Sequence, residues 1–258
     1  MTHPSADDRG LAGQTIFITG AGSGIGRACA LALARAGAHV ALFDVQTDGI
    51  AAVAEMVREH GVNASCHTGD ATVSAQMDAA FAAAAAQHGT IHGGVNCAGI
   101  LGVGAALGDY PEDVWRRVLD VNVMGVVNSM KAQLQHMTGK GHGSIVNIAS
   151  AAGIIGWAGH SAYVASKHAV VGLTKTAGVE YAARGIRINS VCPAFIYTEM
   201  TNDLLAAKEV EKAAIASHPI GRLGQPEEVA EAVMWLLSSR SSFAAGSNLV
   251  LDGGSTAI

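Results

Sequence analysis

Charge is scarce in this chain. Only 14% of its 258 residues are Asp, Glu, Lys or Arg, and the net charge is −5. No run of Lys or Arg occurs, which argues against nucleic acid or an anionic membrane as a partner. Cysteine is sparse as well. Cys29, Cys66, Cys97 and Cys192 show neither C-x-x-C nor metal-ligand spacing, so they are expected as reduced core thiols of a cytoplasmic protein. The eleven histidines include no H-E-x-x-H or comparable pair, and no metal site is expected. No apolar stretch reaches membrane-spanning length. The first ten residues are polar and lack the apolar core of a signal peptide. They are read as a flexible tail ahead of one domain over residues 11–258.

What is abundant is apolar residue and glycine: 50% hydrophobic residues and 32 glycines, the latter single or in short clusters. A sizeable core is therefore available. Short β-branched runs are expected as strands at Gln14–Thr19, His39–Asp44, Ala64–Thr68, Gly93–Asn96, Ser144–Ile148, Arg187–Val191 and Asn248–Leu251. Helical stretches alternate with them, among them one long helix over Pro111–Met137 and another over Ala162–Ala183. Short helical pieces are expected within Thr198–Ser217, and a helix at Pro226–Leu237. Alternation of this kind predicts an α/β fold: one doubly wound parallel sheet of about seven strands with helices on both faces.

Two stretches carry chemistry. Strand one runs into Gly20-Ala21-Gly22-Ser23-Gly24-Ile25-Gly26 and then a helix. This is the strand, glycine loop and helix order of a dinucleotide site, where helix N–H groups and dipole meet a diphosphate. Asp44 ends strand two, placed to accept hydrogen bonds from adenosine ribose hydroxyls and to repel a 2′-phosphate. NAD is therefore expected over NADP, and Val45-Gln46 offer no arginine. The second stretch is Ser150–Lys167, with Tyr163 and Lys167 at i and i+4 on one helix face. A phenol titrates near about 10, and lowering that to neutrality takes roughly 4 kcal/mol. A nearby lysine in a low dielectric would supply a good part of it.

With these motifs in one order, the chain resembles the short-chain dehydrogenase/reductase family over nearly everything from Leu11 onward. Thr19–Gly26 resembles the cofactor loop T-G-x-x-x-G-x-G, and Asn96-Cys97-Ala98-Gly99 the N-N-A-G segment, with Cys97 replacing an asparagine. Asn122, Ser150, Tyr163 and Lys167 match the catalytic tetrad, Asp70 the acid that meets adenine, and Pro193–Thr198 the stretch beside the nicotinamide. The resemblance implies a Rossmann fold and hydride transfer between NAD(H) and a secondary alcohol or ketone. It implies Tyr163 as general acid/base, Ser150 as the group holding the substrate oxygen, and Lys167 as the residue that lowers the phenol pKa and binds nicotinamide ribose. Asn122 would support a water-mediated proton relay. It implies cofactor contacts at Gly20, Ser23, Gly24, Ile25, Gly26, Asp44, Val45, Asp70, Ala71, Asn96, Ala98, Gly99, Tyr163, Lys167, Pro193, Ile196 and Thr198. Ala194 departs from a family glycine and is expected to narrow the nicotinamide pocket. A homotetramer, through the two long helices and the last strand, follows from the resemblance too.

Substrate contacts are expected from Ser150, Ala152, Trp157, His160, Tyr163 and Met200, with Ile154, Tyr197, Leu204 and Leu205 as further wall candidates in a loop region about 195–218. Most are apolar and none is a basic anchor, which suits an alicyclic, terpenoid or diol substrate. The block His160–Gly172 and the ending Asp252–Ile258 resemble family members acting on alicyclic alcohols. Competing expectations are a 3-oxoacyl-carrier-protein reductase, a hydroxysteroid or 3-hydroxybutyrate dehydrogenase, and an NAD-binding scaffold or sensor. The first is disfavoured by Gln135 and Val179 in place of arginines. The 3-hydroxybutyrate reading is disfavoured by Ala152 and His160 where a carboxylate grip would stand, and the scaffold by the complete tetrad.

Overall fold

Strand side chains alternate between two cores, and that alternation sets the architecture. The computed structural model describes residues 10–257, so nine residues of the expected N-terminal tail lie outside the described residues. In β1 (Thr15–Thr19), buried throughout, Ile16 and Ile18 enter one core and Phe17 the other. In β2 (His39–Asp44), Val40 and Leu42 enter the first and Ala41 and Phe43 the second. With β3 (Ala64–Thr68), β4 (Gly93–Asn96), β5 (Gly143–Ile148), β6 (Ile186–Pro193) and β7 (Asn248–Leu251) they form one seven-stranded sheet. Its order is β3-β2-β1-β4-β5-β6-β7 and every pair is parallel. A parallel sheet covered on both faces accounts for the near-continuous apolar strands.

The helices in chain order are α1 (Gly24–Arg35), α2 (Thr47–Arg58), α3 (Ser74–His88), α4 (Glu112–Leu119), α5 (Gly125–Thr138), α6 (Ser161–Tyr181), α7 (Glu199–Leu205), α8 (Lys208–Ala216) and α9 (Pro226–Leu237). Apolar residues of α1, α2 and α9 build the core on one face, and those of α3, α5 and α6 the cores on the other. No described helix is long and apolar enough to cross a membrane.

Two expectations need correction. The single helix predicted over Pro111–Met137 is α4 and α5 joined by a π-helical turn at Asp120–Met124. An i→i+5 turn inserts one residue, which shifts the phase of the apolar pattern between two short segments without changing their composition or helical character. Cys66 is exposed on β3, an edge strand, while Cys29 and Cys192 are buried and Cys97 is half-buried.

A buried polar network ties the second face together. Asn96 Nδ2 donates to Asn147 Oδ1 at 2.8 Å, and Gln133 Nε2 donates back to Asn96 Oδ1 at 2.8 Å. Asn147 Nδ2 donates to Thr174 Oγ1 at 2.9 Å, and the Thr174 hydroxyl donates to the Val170 carbonyl at 2.8 Å. These contacts fix α5 and α6 on β4 and β5. A network whose members are this well paired specifies one packing where an apolar patch would tolerate several.

Candidate active site

The strand order reverses between β1 and β4, and a cleft of about 310 Å³ opens at the carboxyl ends of these strands, where open α/β sheets bind ligands. The loop after β1 forms its floor. Gly20 has φ +65, and a Cβ there would lie 2.7 Å from the Ala98 nitrogen. Gly24 has φ +47 and faces Thr198. Gly26 packs so tightly on the Gly20 carbonyl that no side chain fits. The loop therefore presents bare backbone at the start of α1. Asp44 Oδ2 accepts the Gly22 N–H at 3.0 Å and Oδ1 accepts the Gln46 N–H at 3.0 Å, which fixes the carboxylate against the loop with lone pairs to spare. Asp70 at the far end accepts from the Thr72 N–H at 2.9 Å and pairs with Arg117 at 3.4 Å. These hydrogen bonds, the Thr72 N–H foremost, hold its carboxyl below the usual range. A glycine cradle, a helix N-terminus and a strand-end acid fit a dinucleotide.

The tetrad residues converge at the other end of the cleft. Lys167 is buried on α6, its Nζ donating to the Ile148 carbonyl at 2.8 Å and lying 5.5 Å from the Tyr163 ring centroid. A Cβ on Gly99 would stand 3.2 Å from Asn122 Oδ1 and 3.6 Å from Lys167 Nζ, so these groups crowd one spot. Asn122, in the π turn, spends both amide protons on the Ile100 carbonyl (2.9 Å) and Ser166 Oγ (3.0 Å), and its Oδ1 accepts the Ile100 N–H at 2.8 Å. Its side chain thus pins the segment after β4 to α6. Ser150 Oγ accepts the Ala152 N–H at 3.1 Å and donates to the Pro193 carbonyl at 3.3 Å.

The charge balance differs from the expectation. Tyr163 is part-exposed as a residue, yet burial of its phenol pushes it up to about 12 against the lowering effect of a hydrogen bond with Ser150. The same burial brings the Lys167 ammonium down to about 8, and desolvation outweighs its pull on the phenol. The Cys97 thiol beside them is pushed up to about 11 by burial. The protein alone therefore holds Tyr163 as a neutral proton donor.

Of the expected cofactor residues, Gly26 and Asn96 do not line the cleft; the others do. Gly26 serves the packing of α1 on the loop, and the Asn96 side chain belongs to the interior network. Arg117, Val121 and Glu199 line the cleft without having been expected there. They come from segments about 90 to 175 residues beyond the glycine loop and share no motif with it.

A second cavity, about 450 Å³, opens beside Ser150 and Tyr163 and shares Ala194, Met200 and Thr201 with the first. Ala152, Trp157, His160, Met200 and Leu204 line it as expected. Ile154, Tyr197 and Leu205 do not: Ile155 takes the place of Ile154, Tyr197 donates to Glu211 at 2.8 Å, and Leu205 packs with Ala214 and Leu223. Phe195, Val210, Ala213 and Ser255 are additional wall residues. Trp157 stacks on His160 with centroids 3.7 Å apart and meets Phe195 and Tyr163 edge-on. Among the described residues, no Lys, Arg, Asp or Glu lines this cavity. The arrangement can hold an uncharged molecule with its polar atom between Ser150 and Tyr163.

A family profile described as "Enoyl-(Acyl carrier protein) reductase" matches residues 20–256. The chain is 44% identical to the cyclohexanol dehydrogenase of Acinetobacter sp. (strain SE19), over 94% of this chain and 95% of that protein. It is 41% identical to the cis-4-hydroxycyclohexanecarboxylate dehydrogenase of Sinomonas cyclohexanicum, over 96% of this chain and 98% of that protein. Among solved structures, an NAD⁺-bound xylitol dehydrogenase superposes with a TM-score of 0.92 at 33% identity, covering 95% of this chain and 100% of that one. Sheet order, glycine cradle and near-full-length similarity agree: the chain belongs to the short-chain dehydrogenase/reductase family and is an oxidoreductase of the NAD(P)-using, alcohol-dehydrogenase kind.

Proposed function

We propose that this enzyme interconverts a neutral cyclic secondary alcohol and its ketone with NAD(H). The observation that carries the reading is the second cavity: apolar and aromatic walls, no charged side chain, and Ser150 with Tyr163 at one end. Tyr163 gives its proton to the carbonyl oxygen in reduction and takes it back in oxidation. Ser150 donates a hydrogen bond to the same oxygen and holds it in place. Lys167 supports the phenol and reaches the nicotinamide ribose, and Asn122 keeps the loop around Ile100 in register for the proton relay. When bound, the nicotinamide supplies or accepts the hydride at its C4. The glycine loop, Asp70, Ala71, Ala98, Gly99, Pro193, Ile196 and Thr198 hold the dinucleotide. Asp44 favours NAD, because a second negative group at the ribose would face its carboxylate.

Cavity size refines the substrate. A cavity of about 150 Å³ suffices for benzene, so about 450 Å³ accommodates more than one six-membered ring. The α8 part of the wall contributes small side chains, Val210, Ala213 and Ala214. A homotetramer in the cytoplasm completes the proposal; the fully exposed Phe243, the 82% exposed Val179 and the part-exposed β7 edge support such an assembly.

The deciding measurement is NADH absorbance with a panel of ketones. Fused bicyclic neutral ketones should give a higher kcat/KM than cyclohexanone, and both should exceed an oxocyclohexanecarboxylate and an acyl thioester. A preference for the carboxylate or the thioester would sink the reading.

A further inference from the structure

Glu199 has an unexpected charge for its position in the cofactor cleft. It is the first residue of α7, and its Oε2 accepts the Gly24 N–H at 2.9 Å while Oε1 pairs with Arg27 at 3.1 Å. Gly24 begins α1, where unpaired N–H groups and the positive end of the helix dipole favour an anion. In a dinucleotide fold that anion is the cofactor's diphosphate. One carboxylate of the protein therefore holds the helix N-terminal donor that a diphosphate would use, and is itself anchored by Arg27 of the same helix. Contact between the two segments is close: a Cβ on Gly24 would lie 3.3 Å from Thr198 and 3.5 Å from Glu199 Oε2.

The strength of the contact decides what it can do. The ion pair is nearly half-exposed on both sides, 42% and 47%, which places it among weak surface pairs. The charge-assisted hydrogen bond to Gly24 is stronger but single. A diphosphate brings more charge and several acceptor oxygens to the same helix end, so it prevails, at a cost set by the contact it replaces. Glu199 leads directly into Met200 and Thr201, which line both the cofactor cleft and the substrate cavity. Movement at Glu199 thus reaches the substrate wall.

We propose that Glu199 is an internal anion that competes with the cofactor's diphosphate for the Gly24 N–H at the start of α1, so that cofactor binding releases the start of α7 and resets the substrate wall formed by Met200, Thr201 and Leu204. The proposal rests on the dinucleotide reading of the cleft. The cap of α7 does not depend on it, since Thr198 and Thr201 form a reciprocal capping box without Glu199.

The test is calorimetric titration of wild type and Glu199→Gln with NADH, ADP and adenosine, with hydrogen exchange followed in residues 199–205. Loss of one charge-assisted contact should tighten ADP and NADH binding about tenfold and leave adenosine, which has no diphosphate, unchanged. ADP should raise exchange in residues 199–205 of the wild type and leave the variant's exchange unaltered. Unchanged or weaker ADP binding in a folded Glu199→Gln protein overturns the proposal. An equal gain for adenosine, or an identical ADP effect on exchange in both proteins, overturns it too. If the wild type binds neither ADP nor NADH, the dinucleotide reading fails, and the proposal fails with it.

Discussion

Tyr163 shows burial working in favour of one direction of the reaction. A phenol held near about 12 stays protonated through the neutral range, which suits ketone reduction. Alcohol oxidation needs the phenolate, so its kcat/KM should climb with pH while that of reduction holds steady through neutrality. A profile with oxidation fastest in acid would contradict this assignment. Replacing Tyr163 with Phe should lower turnover by about 10²- to 10⁴-fold, with NADH binding retained by fluorescence titration. Substantial residual activity would remove Tyr163 from its role. Asp44→Ala should erase or reverse the preference for NAD over NADP, read as the ratio of kcat/KM values. Equal use of both cofactors by the wild type would count against the ribose contact.

The elements were largely legible because each strand is a short apolar run and each helix carries its own period; β1, β2, β3, β4 and β7 fall within a residue of their expected bounds. The tetrad was legible for a related reason: Tyr163 and Lys167 share one helix and Ser150 one loop, so local spacing fixes their relation. Less legible was whatever depends on two distant segments meeting. Ser255 and Val210 face the cavity and Glu199 faces α1 through the return of the chain over the sheet, which leaves no local pattern. The π turn at Asn122 was hidden because a single inserted residue shifts phase without altering composition. Which of two opposing effects on the phenol prevails, burial or the lysine, was not legible, because the burial of both groups depends on tertiary packing. Packing between elements can be tested at Gly178 on α6. A Cβ there would lie about 2.5 Å from the Gly246 nitrogen. Gly178→Ala should cost about 1–3 kcal/mol in a urea melt through overpacking, and an unchanged midpoint would mean that the loop around Gly246 yields freely.

At the scale of the whole molecule, histidines gather in two groups away from the active site. His67 and His88 hydrogen-bond Ser65 while His39 stacks on His88, and His92, His136 and His142 lie near the start of β4. Ring nitrogens of His39, His92 and His136 accept backbone N–H bonds at 3.0, 3.0 and 3.2 Å, bonds that protonation would break. Burial, with neighbouring positive charge, holds His67, His88, His92 and His136 below the ordinary histidine value. A base with a depressed folded pKa contributes stability above its unfolded value, about 6.5, and loses it as pH falls through the folded value. The melting temperature should therefore drop as pH falls below about 6.5; a Tm flat from neutrality down to pH 5 would contradict this. The stack of Trp157 on His160 has an optical consequence. Of the three tryptophans, Trp115 sits beside Tyr110 and Trp235 is 40% exposed on α9, which leaves Trp157 as the one in the cavity wall. Its emission is sensitive to the imidazole beneath it and to any ring that enters against it. Intrinsic fluorescence at this residue would report cavity occupancy without a label, and Trp157→Phe would silence that signal.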